Sequence, residues 1–259
     1  MNPPCCPRDR QDRLHALRAW CAGPLGRQLA AAEQALLAEV LGDVFGYHLV
    51  VVDPTCAPAA LEGSRILHHA VQSCSDAGLA AASSLLACAE AMPWQTDSID
   101  AFVLPHVLEL CHDPHQVLRE IDRCLVGDGH LILTGFNPWG LWGLRRLLGG
   151  WRGSIPWSLR FIGLARLKDW LSLLGFDTLQ AAWLLPRPPW YSRALETRLG
   201  FLDRLQGPPR ALLAASYLLV ARKRVAPLTP VKPRWRPRRA MLPGVAEPTQ
   251  RGLTQRGRG

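Results

Sequence analysis

Residues 90–138 read EAMPWQTDSIDAFVLPHVLELCHDPHQVLREIDRCLVGDGHLILTGFNP. Three elements follow one another there. Residues 98–104 (SIDAFVL) are a short apolar run opened by an acid, the pattern of a buried strand. Residues 113–125 (DPHQVLREIDRCL) predict a helix, with Asp113 at the N-cap, Pro114 at the first position and Val117, Leu118, Ile121 and Leu125 on one apolar face. Gly127, Asp128 and Gly129 are expected to turn the chain, and residues 130–134 (HLILT) then read as a second buried strand. Strand, helix and strand in about 40 residues make the crossover unit of a parallel sheet, which must be covered on both faces.

Outward from that unit, residues 12–20 and 24–41 read as helices, the second with Leu25, Leu29, Ala32, Leu36, Leu37 and Val40 on one face and Gly42 as its stop. Strands are expected at 47–52, 65–71 and, weakly, 84–87. Downstream, residues 164–174 read as an amphipathic helix closed by Gly175, 176–185 as a strand, 191–205 as a helix and 214–221 as the last strand. At 259 residues, 48% apolar and with mean hydropathy +0.02, the chain is long enough to bury one α/β core. No run of about 18 apolar residues exists, which excludes a membrane-spanning helix. Residues 1–12 lack the apolar core of a secretory signal and read as disordered. Eight cysteines without a C-x-x-C pair match a reducing cytosol rather than a disulfide framework. Vicinal Cys5 and Cys6 have no partner ligand nearby, and the group at Cys111, His112 and His115 sits in one loop, so no metal site is expected. From residue 222 to the end there are eleven Lys/Arg against one acid, Glu247, so the net charge of +9 belongs to the tail and the rest is near neutral. The domain surface is therefore not of the nucleic-acid type.

The pattern of Glu90-Ala91-Met92-Pro93-Trp94, Asp97-Ser98-Ile99-Asp100, His106-Val107-Leu108-Glu109, Arg123-Cys124-Leu125 and Gly127-Asp128-Gly129 resembles the class I S-adenosylmethionine-dependent methyltransferases, in their small-molecule branch. The resemblance covers residues 24–224 and is strong between 90 and 138. It implies a Rossmann-like sheet, mostly parallel with an antiparallel last strand, and helices on both faces. Around that domain lie an N-terminal extension (1–23), a Trp- and Gly-rich insertion (136–160) and a disordered basic tail (225–259). It implies S-adenosylmethionine as cofactor, with Asp53, Ala57, Ala89, Glu90, Trp94 and Pro105 about it. His106, at the end of the fourth strand, is expected at the mouth of the site, as a base or an orienting group. Asn137, Trp139, Trp142 and Arg145 follow the fifth strand, where the family shapes its acceptor pocket. Such a protein would be cytoplasmic and act on a small acceptor.

Two departures from the family pattern stand out. After the first strand the family carries D-x-G-x-G-x-G, where bare backbone meets the cofactor. Here Asp53 keeps the acid, but Thr55, Ala57 and Ala59 hold the glycine positions, and Pro54 and Pro58 remove two N–H donors. After the second strand the family's ribose-binding acid has no clean counterpart, since Asp76 comes several residues late. Three functions therefore stay open. One is methyl transfer to a small, partly apolar acceptor. Another is a non-catalytic binding or regulatory protein that keeps the fold and has lost the cofactor. The last is a peripheral contact with a membrane or nucleic acid through the Trp tract and the tail.

Overall fold

A computed structural model describes residues 8–53, 55, 61, 63–75, 84–149, 154–185 and 208–225. The chain opens with two helices, α1 (Arg8–Cys21) and α2 (Pro24–Gly42). The strand β1 (His48–Val52) follows, then β2 (His68–Ser73), β3 (Ser84–Leu86) and β4 (Ile99–Pro105). Two helices come next, α3 (Val107–Leu110) and α4 (Pro114–Cys124), and then the long β5 (Leu125–Phe136). The remainder is α5 (Leu141–Gly149), α6 (Leu164–Leu173), β6 (Phe176–Leu184), α7 (Pro208–Leu213) and β7 (Ser216–Lys223). The seven strands lie in the order β3-β2-β1-β4-β5-β7-β6. All neighbours are parallel except β7, which runs antiparallel to both β5 and β6. This is the Rossmann-like methyltransferase sheet.

Period-two alternation builds two cores from one set of strands. Val50, Val52, Phe102, Leu104, Leu131, Leu133, Tyr217 and Leu219 face the layer holding α4 and α6. Leu49, Val51, Ala101, Val103, Ile132, Leu218 and Val220 face the layer holding α2. α4 meets its face with Val117, Leu118 and Ile121, all buried. Its start is fixed as the sequence requires: the Asp113 carboxylate accepts from the His115 and Gln116 amides, and Pro114 fills N1. Loss of such a cap costs about 1 kcal/mol.

Three expectations need correction. β5 begins at Leu125 directly after α4, so Gly127, Asp128 and Gly129 do not end a helix; they form an irregularity inside the strand. The register moves from Ile99↔Leu125 to Ala101↔His130, and Asp128 absorbs the extra chain at φ 63°. β2 starts three residues later than the apolar run suggested, because His68 pairs with His48 and sets the register. Residues 8–12 are helical, and Arg10 is buried. Ala57, Ala59, Pro54, Pro58, Asp76, Cys5, Cys6, the helix expected at 191–205 and the tail from 226 all lie outside the described residues.

A third core sits across the carboxyl ends of the central strands. Leu14 and Leu17 of α1 pack there with Phe136, Trp142, Trp157, Phe161 and Ala215. Phe136 closes β5 and Ala215 precedes the antiparallel β7, so both belong to that end of the sheet. α1 and the Trp-rich tract thus form one cap over the edge where ligands of open α/β sheets lie.

Candidate cofactor and acceptor sites at the strand ends

β1 ends just before Asp53, which turns into the left-handed region at φ 44°. β4 ends before His106, which does the same at φ 55°. An ordinary residue in that region costs about 1–3 kcal/mol, which is tolerated where the surroundings fix it, and such residues gather at functional sites. Both side chains are buried and fully engaged.

The Asp53 carboxylate accepts from the Cys74 amide at 2.7 Å and from the Arg10 guanidinium of α1 at 2.5 Å. Arg10 also reaches the Cys88 sulfur at 3.4 Å. Next to it, Gln72, one residue before the end of β2, donates from its amide nitrogen to the Cys88 carbonyl at 3.1 Å. Its amide oxygen accepts from the Trp94 indole at 2.6 Å. Arg18, about two turns further along α1, donates to Ser73 at 3.2 Å. Ala89 is buried beside these groups. The structure thus brings Asp53, Ala89 and Trp94 to one strand-end cluster, with Gln72 where the sequence offered no ribose acid.

Glu90 points the other way. Its Oε1 accepts from the His112 and Asp113 amides, at 3.0 and 3.2 Å, and so ties the loop after β3 to the start of α4. Arg123 completes that tie. It donates to the Met92 and Trp94 carbonyls at 2.9 Å each, while Glu120 accepts from the Met92 amide. The loop carrying Trp94 is therefore held by α4 side chains, which the Arg-x-Leu pattern alone does not reveal.

His106 is placed differently from expectation: it is buried under α2 rather than open at a mouth. Its Nε2 lies 3.0 Å from Glu33 of α2 and its Nδ1 2.9 Å from Glu109 of α3. Glu109 also accepts from the Phe136 amide at 2.6 Å, and Ser216 donates to Glu33 at 2.9 Å. Burial opposes charge on the ring, but Glu33 and the two carboxylate hydrogen bonds outweigh it and hold His106 well above its ordinary value. Burial also raises Glu109, against the pull of His106. Held between Glu33 and Glu109, with Glu33 also bound by Ser216, the ring links α2, β4, α3 and β7. Pro105, just before it, pairs with Thr134 of β5.

Beyond β5 the expected acceptor residues separate. Asn137 is buried and donates to the Ala211 and Ala214 carbonyls, at 2.6 and 3.2 Å, and accepts from the Trp139 amide. Asn137 and Trp139 line a cavity of about 340 Å³ together with Leu164, Trp183, Leu212 and Lys168. Trp142 does not reach it; that ring is buried in the cap, stacked on Phe136 and edge-on to Trp20. Arg145 is exposed and lies 4.4 Å over the Trp157 ring. A second cavity, of about 460 Å³, lies where α1 and α2 meet the residue two after Asp53, and Arg18, Arg27, Gln34 and Thr55 line it.

Residues 34–133 match the family described as "Methyltransferase domain". The chain is 32% identical over 212 residues to the uncharacterized protein YafS of Escherichia coli (strain K12), covering 81% of this chain and 82% of that one. Among solved structures it resembles the methyltransferase determined in complex with the Haloferax volcanii activator Trm112, with TM-score 0.60, 16% identity, and coverage of 83% of this chain and 97% of that one. The [4+2]-cyclase SpnF superposes with TM-score 0.52 at 20% identity, over 75% of this chain and 81% of that one. An S-adenosylmethionine-dependent methyltransferase from Mesorhizobium loti gives 0.51 at 15%, over 74% and 98%. These structural likenesses establish the fold; a cyclase among them illustrates that the fold alone does not fix the chemistry.

Proposed function

The chain belongs to the class I S-adenosylmethionine-dependent methyltransferase family, and from that premise we propose that it moves a methyl group from S-adenosylmethionine to a small, partly apolar acceptor. The cofactor needs a cation for its carboxylate, acceptors for its ribose hydroxyls and an apolar slot for adenine. The strand ends and the helices packed on them supply these types: Arg10 and Arg18 of α1 and Arg27 of α2, then Asp53 and Gln72, then Ala89 and Trp94. The donor chemistry fits. Arg10 and Asp53 hold each other, as do Trp94 and Gln72, so a ligand must exchange those contacts for its own.

When bound, the cofactor supplies a sulfonium that already activates the methyl group. What remains for the protein is positioning and exclusion of water. His106 serves as the staple that fixes the β4 end, since both nitrogens are committed to carboxylates. The observation that supports an apolar acceptor is the cavity at the end of β5, walled by Trp139, Leu164, Trp183 and Leu212, with Lys168 as the charged group among its described lining residues. The test is transfer of labelled methyl from S-adenosylmethionine into organic-soluble extract fractions. Label in such a fraction, with KM for the acceptor raised by Trp183→Ala, supports the reading. Absence of labelled product from every fraction, with cofactor bound, overturns it.

The reading as a non-catalytic relative draws on a specific observation: every hydrogen-bonding oxygen of Asp53, and the Gln72 amide, already has a protein partner. Failure to bind the cofactor's product form would select it.

A further inference from the structure

α5 has two apolar faces. Trp142 points into the cap, whereas Leu144, Leu147 and Leu148 fall at i, i+3 and i+4 on the opposite side. Leu147 is 71% exposed and Leu148 79%. Trp139, just before the helix, is 79% exposed, and Leu212 on the adjoining α7 is 59%. A stripe of leucines with an exposed indole beside it is not what a solvated helix presents. Trp139 and Leu212 also line the 340 Å³ cavity, so the apolar surface runs to the edge of the acceptor pocket.

The sequence that carries this surface is mostly cationic. No Asp or Glu occurs from residue 129 to 168, while six cations do, at positions 145, 146, 152, 160, 166 and 168; the next acid is the exposed Asp169. Arg145, Arg160 and Arg166 are exposed, and Lys168 makes no ion pair among the described residues. A water-soluble protein partner does not require this combination of protruding leucines, an interfacial tryptophan and a cationic surround. An anionic bilayer matches every part of it. No described helix is long and apolar enough to cross a membrane, so the contact would be peripheral.

We propose that the outer face of α5, with Trp139 and Leu212, docks on an anionic lipid bilayer. The acceptor pocket then opens at the membrane surface, where an apolar acceptor partitions. Docking itself does not depend on methyl transfer, and its test reads binding alone.

The probe is co-sedimentation of the full chain with vesicles of phosphatidylglycerol and phosphatidylcholine, against phosphatidylcholine alone. The full chain includes the basic tail, so the variant must act elsewhere. Leu147→Gln with Leu148→Gln removes apolar surface, adds no charge and keeps a good helix former. Expected is binding to the anionic vesicles that weakens at least about tenfold in the double variant, with an unchanged melting temperature. Trp139→Phe should also reduce the blue shift of tryptophan emission on binding. Equal binding by wild type and double variant would assign the contact to the tail and overturn the proposal. So would absence of binding, or a wild-type dimer that the double variant converts to monomer without vesicle binding.

Discussion

Arg10→Met isolates the contact through which α1 is locked onto the strand ends. Arg10 and Asp53 are both buried, and the guanidinium lies 2.5 Å from the carboxylate. In the variant Asp53 keeps the Cys74 amide, 2.7 Å away, and the field of the neighbouring Arg18. Removing one member of a buried pair costs about 3–5 kcal/mol, chiefly because the other charge stays in a dry site. Asp53→Asn takes the carboxylate from Arg10, which keeps its contact with the Cys88 sulfur, and should cost about 3 kcal/mol. The double variant leaves no unpaired charge, so it should cost well under the sum, with a coupling energy of at least about 2 kcal/mol. Equilibrium unfolding in urea, followed by tryptophan fluorescence at constant m, reads all four proteins. Additivity within about 0.5 kcal/mol, or an Arg10→Met cost below about 1 kcal/mol, would refute the claim that this pair holds α1 in place.

Other predictions concern the neighbouring groups. His106 is held above its unfolded value, so its contribution to stability is complete below about pH 6.5 and disappears as pH rises through the folded value. Over that window wild type should lose up to about 1.4 kcal/mol per pH unit relative to His106→Asn; a difference that stays flat with pH would show the ring is neutral in the fold. Arg18→Gln should weaken binding of S-adenosylhomocysteine about tenfold but leave methylthioadenosine, which lacks the carboxylate, unchanged; equal losses for both would place Arg18 away from the carboxylate. Arg123→Ala frees the loop that carries Trp94, and should raise KM for the cofactor several-fold with little change in kcat. An unchanged KM would mean the loop plays no part in binding.

The unit at residues 90–138 was legible because each signal in it is local. Asp113 and Pro114 mark a helix start, Val117, Leu118 and Ile121 share one face, and SIDAFVL and HLILT have the length and branching of buried strands. The end of α4 misled for a physical reason: glycines usually stop helices, but here they serve a strand bulge against β4. The site was less legible because its polar bonds span the chain. Arg10 meets Asp53 across 43 residues and His106 meets Glu33 across 73, and no spacing rule reports such contacts. Glu109 is in the family pattern and three residues after His106 at the start of a helix, a spacing that allows their contact, which the motif alone does not report. Gln72 is marked in the sequence only as the polar residue near the end of a strand over residues 68–73, a range that the apolar run at 65–71 obscures. Trp142 looked like a pocket residue by its company in the sequence, but the burial of its ring depends on α1, whose helix begins in a segment that reads as disordered.

The central claim is that these strand ends still hold the cofactor of their family despite the substituted loop. Calorimetric titration of the purified protein with S-adenosylhomocysteine, which cannot turn over, tests it most directly. The account predicts a micromolar or tighter dissociation constant, with a raised melting temperature in the presence of ligand. No heat and no thermal shift at millimolar ligand would contradict it, and would leave the Arg10–Asp53 and Trp94–Gln72 contacts as the permanent filling of a site that binds nothing.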